Sequence, residues 1–337
     1  MTKQRPKFDS ATLEVLWTRL ISIVDEAAAA LVRTSFSTVV RESHDFSCVL
    51  TDGDGRSLVQ ATDSIPSFIG TLPRTVRHFL AEFPPGRLQP GDVLITNDPW
   101  QGTGHLPDIT VAKPIFRSGR LTGFSASTAH SPDIGGKMRS PEPREVFEEG
   151  LQIPIMKLIS AGRPDETLLR LLRRNVRTPE LTVGDLWAQV TALDLMERRL
   201  LDLMDAYGLD SLAELAEEVQ GRTERAMRAA IRELPDGSYR ATMETDGLPG
   251  RPLTIALALT IAGDAVAVDF AGTSQQVDRA INLPMCYTFA MCAYAIKCVA
   301  APEVPNNEGA LRPIRVTAPE GCLVNPTYPA AVGSRAL

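Results

Sequence analysis

Three amphipathic stretches run almost without interruption from Asp165 to Leu234: "ETLLRLLRRNV", "LTVGDLWAQVTALDLMERRLLDLMDAYG" and "DSLAELAEEVQGRTERAMRAAIREL". Apolar residues recur in them every three or four positions, the spacing that turns one stripe of a helix toward a core. The break "RTPEL" and Gly208, a candidate C-cap, separate them. On both sides of this block the pattern changes to short apolar runs bounded by turns, which is the signature of strands. Strands gathered before and after a helical block do not make alternating βαβ units, so the pattern predicts an α+β fold. The expected divisions are a strand-rich region over residues 1–164 with an N-terminal helix, a helical segment over 165–234, and a β-rich region with one helix over 235–337. The sequence stops at "PAAVGSRAL" without a cap or polar tail, and the last region is expected to be incomplete.

Within the first region, residues 10–35 read as a helix with Ser10 as candidate N-cap, and 71–83 as a shorter one. "DFSCVLTDGDGRSLVQA" reads as a hairpin closed by "DGDG". "DVLITND" is a strand, and "DITVAKPIF" and "RLTGFSASTAH" are two more, joined by the turn "RSGR". In the last region "YRATMETDG", "LTIALALTIAG" and "AVAVDFAGTS" are strands and 285–300 a helix.

Several classes are disfavoured. A net charge of −6 argues against nucleic acid held by a basic surface. The longest apolar run, "INLPMCYTFAMCAYAIKCVAAP", is broken by Pro284 and carries Lys297, so no membrane span is expected. The first residues have no signal-peptide apolar segment, which points to the cytoplasm. The five cysteines contain no CxxC pair and read as buried free thiols. "TDGDG" lacks the downstream Glu of a calcium loop. There is no dinucleotide fingerprint, no Walker A sequence and no GxSxG elbow. ATP, if used, is not bound here.

The chemistry concentrates in "NDPWQGTGHLPDITVAKPIF", where a chain with four histidines places Asp98, His105 and Asp108 in one Gly- and Pro-rich loop. With Ser118-Gly119 as the central turn residues, the following hairpin sets Asp108 opposite Ala129 and Pro107 opposite His130. Asp108 and His130 then meet at its open end, His105 nearby, provided the strand ends bend, since alternation sends the two to opposite faces. Two imidazoles and a carboxylate suit Zn(II), Mn(II) or Fe(II) with open positions, which means Lewis-acid chemistry or an acidified water. A second HxxD, His130 to Asp133, offers Asp133 as ligand or as the partner that orients one. Asp45, beside His44, is a further candidate oxygen ligand. His78 reads as a surface helix residue.

"RTSFSTVVRESHDFSCVLTD", "TNDPWQGTGHLPDITV", "AHSPDIGG", "EGLQIPIMKL", "RNVRTPELTVGDLWAQ", "DFAGTSQQV" and "PNNEGALRPIRVTAPEG" together resemble the hydantoinase B/5-oxoprolinase family. The resemblance runs in order from about residue 30 to the end. It implies a hydantoinase B-like α+β fold and a place in an ATP-dependent cyclic-amide hydrolase, opening hydantoin, N-methylhydantoin, 5-oxoproline or lactam rings. It implies a hetero-oligomer in which a hydantoinase A-type ATPase subunit binds ATP and activates the carbonyl, while this chain holds a divalent metal through Asp45, His105, Asp108 and His130. Asp133 is then expected to orient a ligand or shuttle a proton. Glu149 is expected to be an acid or base, unless it is an exposed helix-end carboxylate. Subunits of acetone and acetophenone carboxylases share the resemblance, so ketone carboxylation is an alternative, as is a fragment that only binds a partner. Family members are longer, and many have "GGTHLPD" where this chain has "QGTGHLPD", which leaves the substrate subgroup open.

Overall fold

The computed structural model describes residues 8–248 and 250–335. Its helices are α1 (Ser10–Thr34), α2 (Thr38–Arg41), α3 (Thr71–Glu82), α4 (Glu166–Asn175), α5 (Pro179–Ala206), α6 (Ala213–Arg232), α7 (Met285–Ala300) and α8 (Glu308–Leu311). In α1 the residues at helical spacing, Leu13, Leu16, Leu20, Val24, Ala27 and Leu31, are all buried. Its N-cap is Asp9 and not Ser10: the Asp9 carboxylate accepts the N–H groups of Ala11 and Thr12 at 3.0 and 2.9 Å. An acidic cap also meets the positive end of the helix dipole, which a hydroxyl one residue later cannot match. Gly208 follows α5 with φ +61°, the left-handed conformation of a C-cap.

The larger sheet contains β1 (Phe46–Asp52), β2 (Ser57–Gln60), β3 (Val93–Thr96), β4 (Asp108–Arg117), β5 (Arg120–His130), β6 (Met156–Ser160) and β7 (Arg163–Pro164). It is antiparallel throughout, in the order β2-β1-β5-β4-β3-β6-β7. The central strands are covered on both faces, and every residue of β1 is buried. Phe46, Cys48 and Leu50 face a core shared with α1, α5 and α4, while Val49 faces a second core with Leu72, Val76 and Phe79 of α3. The alternation of β1 thus divides between two apolar layers, so its sequence reads as a continuous apolar run. Helices α4 and α5 complete the first core.

The smaller sheet has the order β11-β10-β9-β8, from β8 (Gly237–Leu248), β9 (Arg251–Ala262), β10 (Ala265–Asp269) and β11 (Ile314–Thr317). Its apolar face packs with Met227 and Ile231 of α6 and Ala293 and Ile296 of α7. Helix α6 therefore belongs to two cores, its first half to the larger sheet and its second half to the smaller. The short elements β6, β7, β11, α2 and α8 carry too little periodicity to stand out in the sequence. The expectation of five buried thiols needs correcting: Cys48, Cys286 and Cys322 are buried, Cys292 is half-buried and Cys298 is exposed. Six residues advance a helix by about 600°, so Cys286, Cys292 and Cys298 of α7 point in different directions. No helix among the described residues is long and apolar enough to cross a membrane.

Candidate metal centre

The hairpin between β4 and β5 turns at Ser118-Gly119, with φ of +49° and +75°. Both central residues of a type I′ turn require positive φ, and glycine takes it without strain. Next to the turn the expected register holds, Arg117 opposite Arg120 and Phe116 opposite Leu121. Then Ile115 faces Gly123, so Thr122 is an extra residue, a β-bulge. From there on the register is shifted by one, and Asp108 lies directly opposite His130. The bend invoked from the sequence is unnecessary, because direct partners share a face.

Across the other edge of β5, Phe46 of β1 pairs with Ala129, and the His130 N–H donates to the Asp45 carbonyl at 2.9 Å. Asp45, His130 and Asp108 therefore stand in a row over three adjacent strands, at one end of the sheet. His105 reaches them from the loop before β4. That loop is stapled by Asn97, whose amide nitrogen donates to the carbonyls of Leu106 and Leu151 at 2.8 and 2.9 Å. Asp98 is a turn former, accepting the N–H groups of Trp100 and Gln101, and stays out of the cluster.

One ligand atom each from His105, Asp108 and His130 lies within 4.8 Å of the others, and all three residues are buried. Asp108 Oδ1 is 2.7 Å from His105 Nε2 and 3.0 Å from His130 Nδ1. Its Oδ2 accepts from the Thr103 hydroxyl at 2.6 Å and from the Arg335 guanidinium at 3.0 Å. Burial alone would raise the Asp108 pKa, but His105, His130 and Arg335 hold it well below the usual carboxylate range. Burial and then the Arg335 charge push the His105 imidazole down to about 4, so this ring is neutral at physiological pH. Burial and then the Asp108 carboxylate raise Asp45 to about 6. Asp45 Oδ2 is 3.7 Å from His130 Nδ1.

These residues fit a divalent cation. Buried polar atoms are almost always hydrogen-bonded, yet among the described residues His105 Nε2, His130 Nε2 and Asp45 Oδ1 have no hydrogen-bond partner. The contact between His105 Nε2 and Asp108 Oδ1 is close but off the hydrogen-bonding direction, as expected of two lone pairs converging on one point. The other His105 nitrogen, Nδ1, lies 3.4 Å from the Gly333 carbonyl, the arrangement that leaves Nε2 as the donor to a metal. The cluster opens into a cavity of roughly 380 Å³ that Asp45, Met138, Glu149, Tyr287 and Arg335 also line.

Two expectations change. Asp133 does not line this cavity: its carboxylate accepts from the backbone and guanidinium of Arg177, and it borders a separate cleft. Its place is to tie the loop after β5 to the end of α4, not to meet the cluster. Glu149 is not an exposed helix-end carboxylate; it is 2% exposed. Its Oε1 accepts two backbone N–H groups, from Val332 and Gly333, and burial raises its pKa to about 7. His44 pairs with Asp63 at 2.5 Å, away from the cavity, and His78 is half-buried on α3. Sequence reasoning missed Thr103 and Arg335. Arg335 is 227 residues from the carboxylate it touches, and no local motif announces it.

The fold and the cluster define a class, an α+β protein with a buried His-Asp-His set at the end of an antiparallel sheet. The hydantoinase B/oxoprolinase family model matches residues 9–337, and the chain belongs to that family. It is 33% identical over 328 residues to the caprolactamase subunit beta of Pseudomonas jessenii, covering 96% of this chain and 56% of that one. The crystal structure of the ATP-dependent caprolactamase from Pseudomonas jessenii superposes with a TM-score of 0.91 at 32% identity, over 97% of this chain and 57% of that one. A nucleotide-free acetone carboxylase structure has the same fold, with a TM-score of 0.88 at 19% identity, over 96% of this chain and 45% of that one. The chain thus spans little more than half the length of the caprolactamase subunit it matches.

Proposed function

We propose that this chain is the metal-bearing subunit of an ATP-dependent cyclic-amide hydrolase, acting with a hydantoinase A-type ATPase partner that binds the ATP. The observation that carries this reading is the convergence of His105, Asp108 and His130 on a cavity, with buried nitrogens that nothing among the described residues satisfies. Membership of the hydantoinase B/oxoprolinase family and the likeness to an ATP-dependent caprolactamase supply the reaction class. Hydantoins, 5-oxoproline and lactams share an endocyclic amide bond, and ring opening is its hydrolysis.

His105, Asp108 and His130 would hold Zn(II), Mn(II) or Fe(II), with Asp45 at the rim as the fourth donor. A divalent cation there supplies polarisation of a carbonyl oxygen and acidification of a water. The chain's own residues prepare that site. Thr103 and Arg335 hold Asp108 ionised and fix its orientation. The buried, neutral His105 presents a lone pair rather than a proton. Met138 and Tyr287 give the cavity an apolar wall suited to the methylene part of a ring. Without a cation, burial and the Asp108 carboxylate leave Asp45 with a raised pKa of about 6, and a divalent cation there would favour its ionised, ligating form.

Elemental analysis of the purified chain tests this, with His105→Ala and His130→Ala beside it. Near one equivalent of Mn, Zn or Fe in the wild type, lost in both variants, is expected. The metal-loaded chain together with its ATPase partner then hydrolyses a cyclic amide and ATP together. A folded wild-type chain that takes up none of these metals would refute the reading. ATP turnover that requires bicarbonate and a ketone would move it to the carboxylases.

A further inference from the structure

Residues 329–335 form a strap between two other segments and end at the cluster. One side of the strap is held by the segment before Glu149: Val146 N–H donates to the Pro329 carbonyl at 2.9 Å, and Glu145 bridges Ala330. The other side is held by the segment before α7: the Asn282 amide donates to the Ala331 carbonyl at 2.8 Å, and Ser334 N–H to the Ala280 carbonyl at 2.7 Å. Two groups of the strap touch candidate ligands. The Gly333 carbonyl faces His105 Nδ1, and Arg335 grips Asp108. Gly104, with φ +104°, makes the approach possible, since a Cβ there would sit 2.9 Å from Arg335 Nε and from Tyr287 Cβ.

Between these contacts lies Glu149. Its Oε1 accepts the N–H groups of both Val332 and Gly333 at 2.7 Å. Gly333 packs so closely that an added Cβ would lie 3.1 Å from the Glu149 carboxyl carbon. We propose that Glu149 is a positioning residue. It latches the strap and so aims His105 and Asp108 at the cation without touching it. The inference rests on the metal reading above. Its physical content is a chain of two contacts. Without the Oε1 acceptor, the buried Val332 N–H and the part-buried Gly333 N–H lose their partner, and an N–H that moves to find another carries its own residue with it. The Gly333 carbonyl then leaves His105, and the imidazole loses the hydrogen bond that selects its tautomer and raises its basicity. Partners of this kind are worth 10- to 100-fold in metal affinity, so about tenfold is expected for a group one contact further out.

The test is Zn(II) affinity of the whole chain, by competition with a chromophoric chelator. Glu149→Gln keeps the Oε1 acceptor and should bind within about twofold of wild type; Glu149→Ala should bind about tenfold more weakly. Gly333→Ala, which pushes the strap off the carboxyl group, should weaken binding as well and serves if Glu149→Ala does not fold. Leu20→Ala, buried in α1 far along the chain from the cluster, controls for lost stability and should bind as wild type does. A folded Glu149→Ala with wild-type affinity would overturn the proposal, as would Glu149→Gln as weak as Glu149→Ala. A wild type that binds no Zn(II) would instead strike the metal reading itself.

Discussion

Replacing Glu149 by Gln in the metal-free protein should change how stability depends on pH. Glu149 is buried, and its pKa rises from 4.5 to about 7 because desolvation of the carboxylate outweighs its two backbone hydrogen bonds. The folded chain therefore prefers the neutral acid. The sign follows directly: Glu149 imposes no ionisation penalty below pH 4.5, a growing one between 4.5 and 7, and a constant one above. A shift of that size is worth about 3 kcal/mol at pH 8, of which about 1 kcal/mol is already lost at pH 5.5. Gln keeps the same shape and acceptor and does not ionise. It does place an amide NH₂ where Oε2 has no partner among the described residues, which adds an offset independent of pH. Urea denaturation with a chelator present, at pH 5.5 and pH 8, removes that offset by difference. The advantage of the variant over wild type should grow by about 2 kcal/mol between the two values. Stability differences equal at both pH values would mean that Glu149 titrates as an ordinary carboxylate and that its burial has been misjudged.

Two other outcomes follow from the structure. Asp133→Asn should lower stability by about 1–2 kcal/mol, through loss of the ion pair with Arg177, yet leave metal content per folded chain unchanged; metal loss would return Asp133 to the site. Of the five thiols, Cys298 alone is exposed, while Cys48 is pushed up to about 12 by burial and Cys286 and Cys292 to about 11. An aromatic disulfide reagent should therefore find one fast thiol in the native chain, absent in Cys298→Ser; several fast thiols would show that α7 is not packed as described.

The candidate donors at the cluster were legible because they are crowded in sequence. His105 and Asp108 share one loop, and the hairpin that returns His130 to them is announced by a turn signal between two β-branched and aromatic runs. The Thr122 bulge was not legible. A threonine fits a regular strand as well as a bulged one, and only the simultaneous pairing of β5 with β1 and β4 selects the shifted register. Asp45 was legible as a carboxylate next to a strand, but its alignment with His130 depends on that same three-strand register. Glu149 looked like one acid among several in "FEEGLQIP", because its burial is made by residues 332 and 333, nearly 200 positions later.

The sequence by itself determined what short-range physics controls: helix and strand periods, turns at Ser118-Gly119 and Gly208, and the chemical kinds of donor available. The tertiary structure alone decided the face on which Asp108 meets His130, the strap that brings Arg335 to them, and which carboxylates lose their water. Those are set by register and by long-range packing. A one-residue slip reverses every side chain of a strand, and desolvation depends on atoms contributed from the far end of the chain.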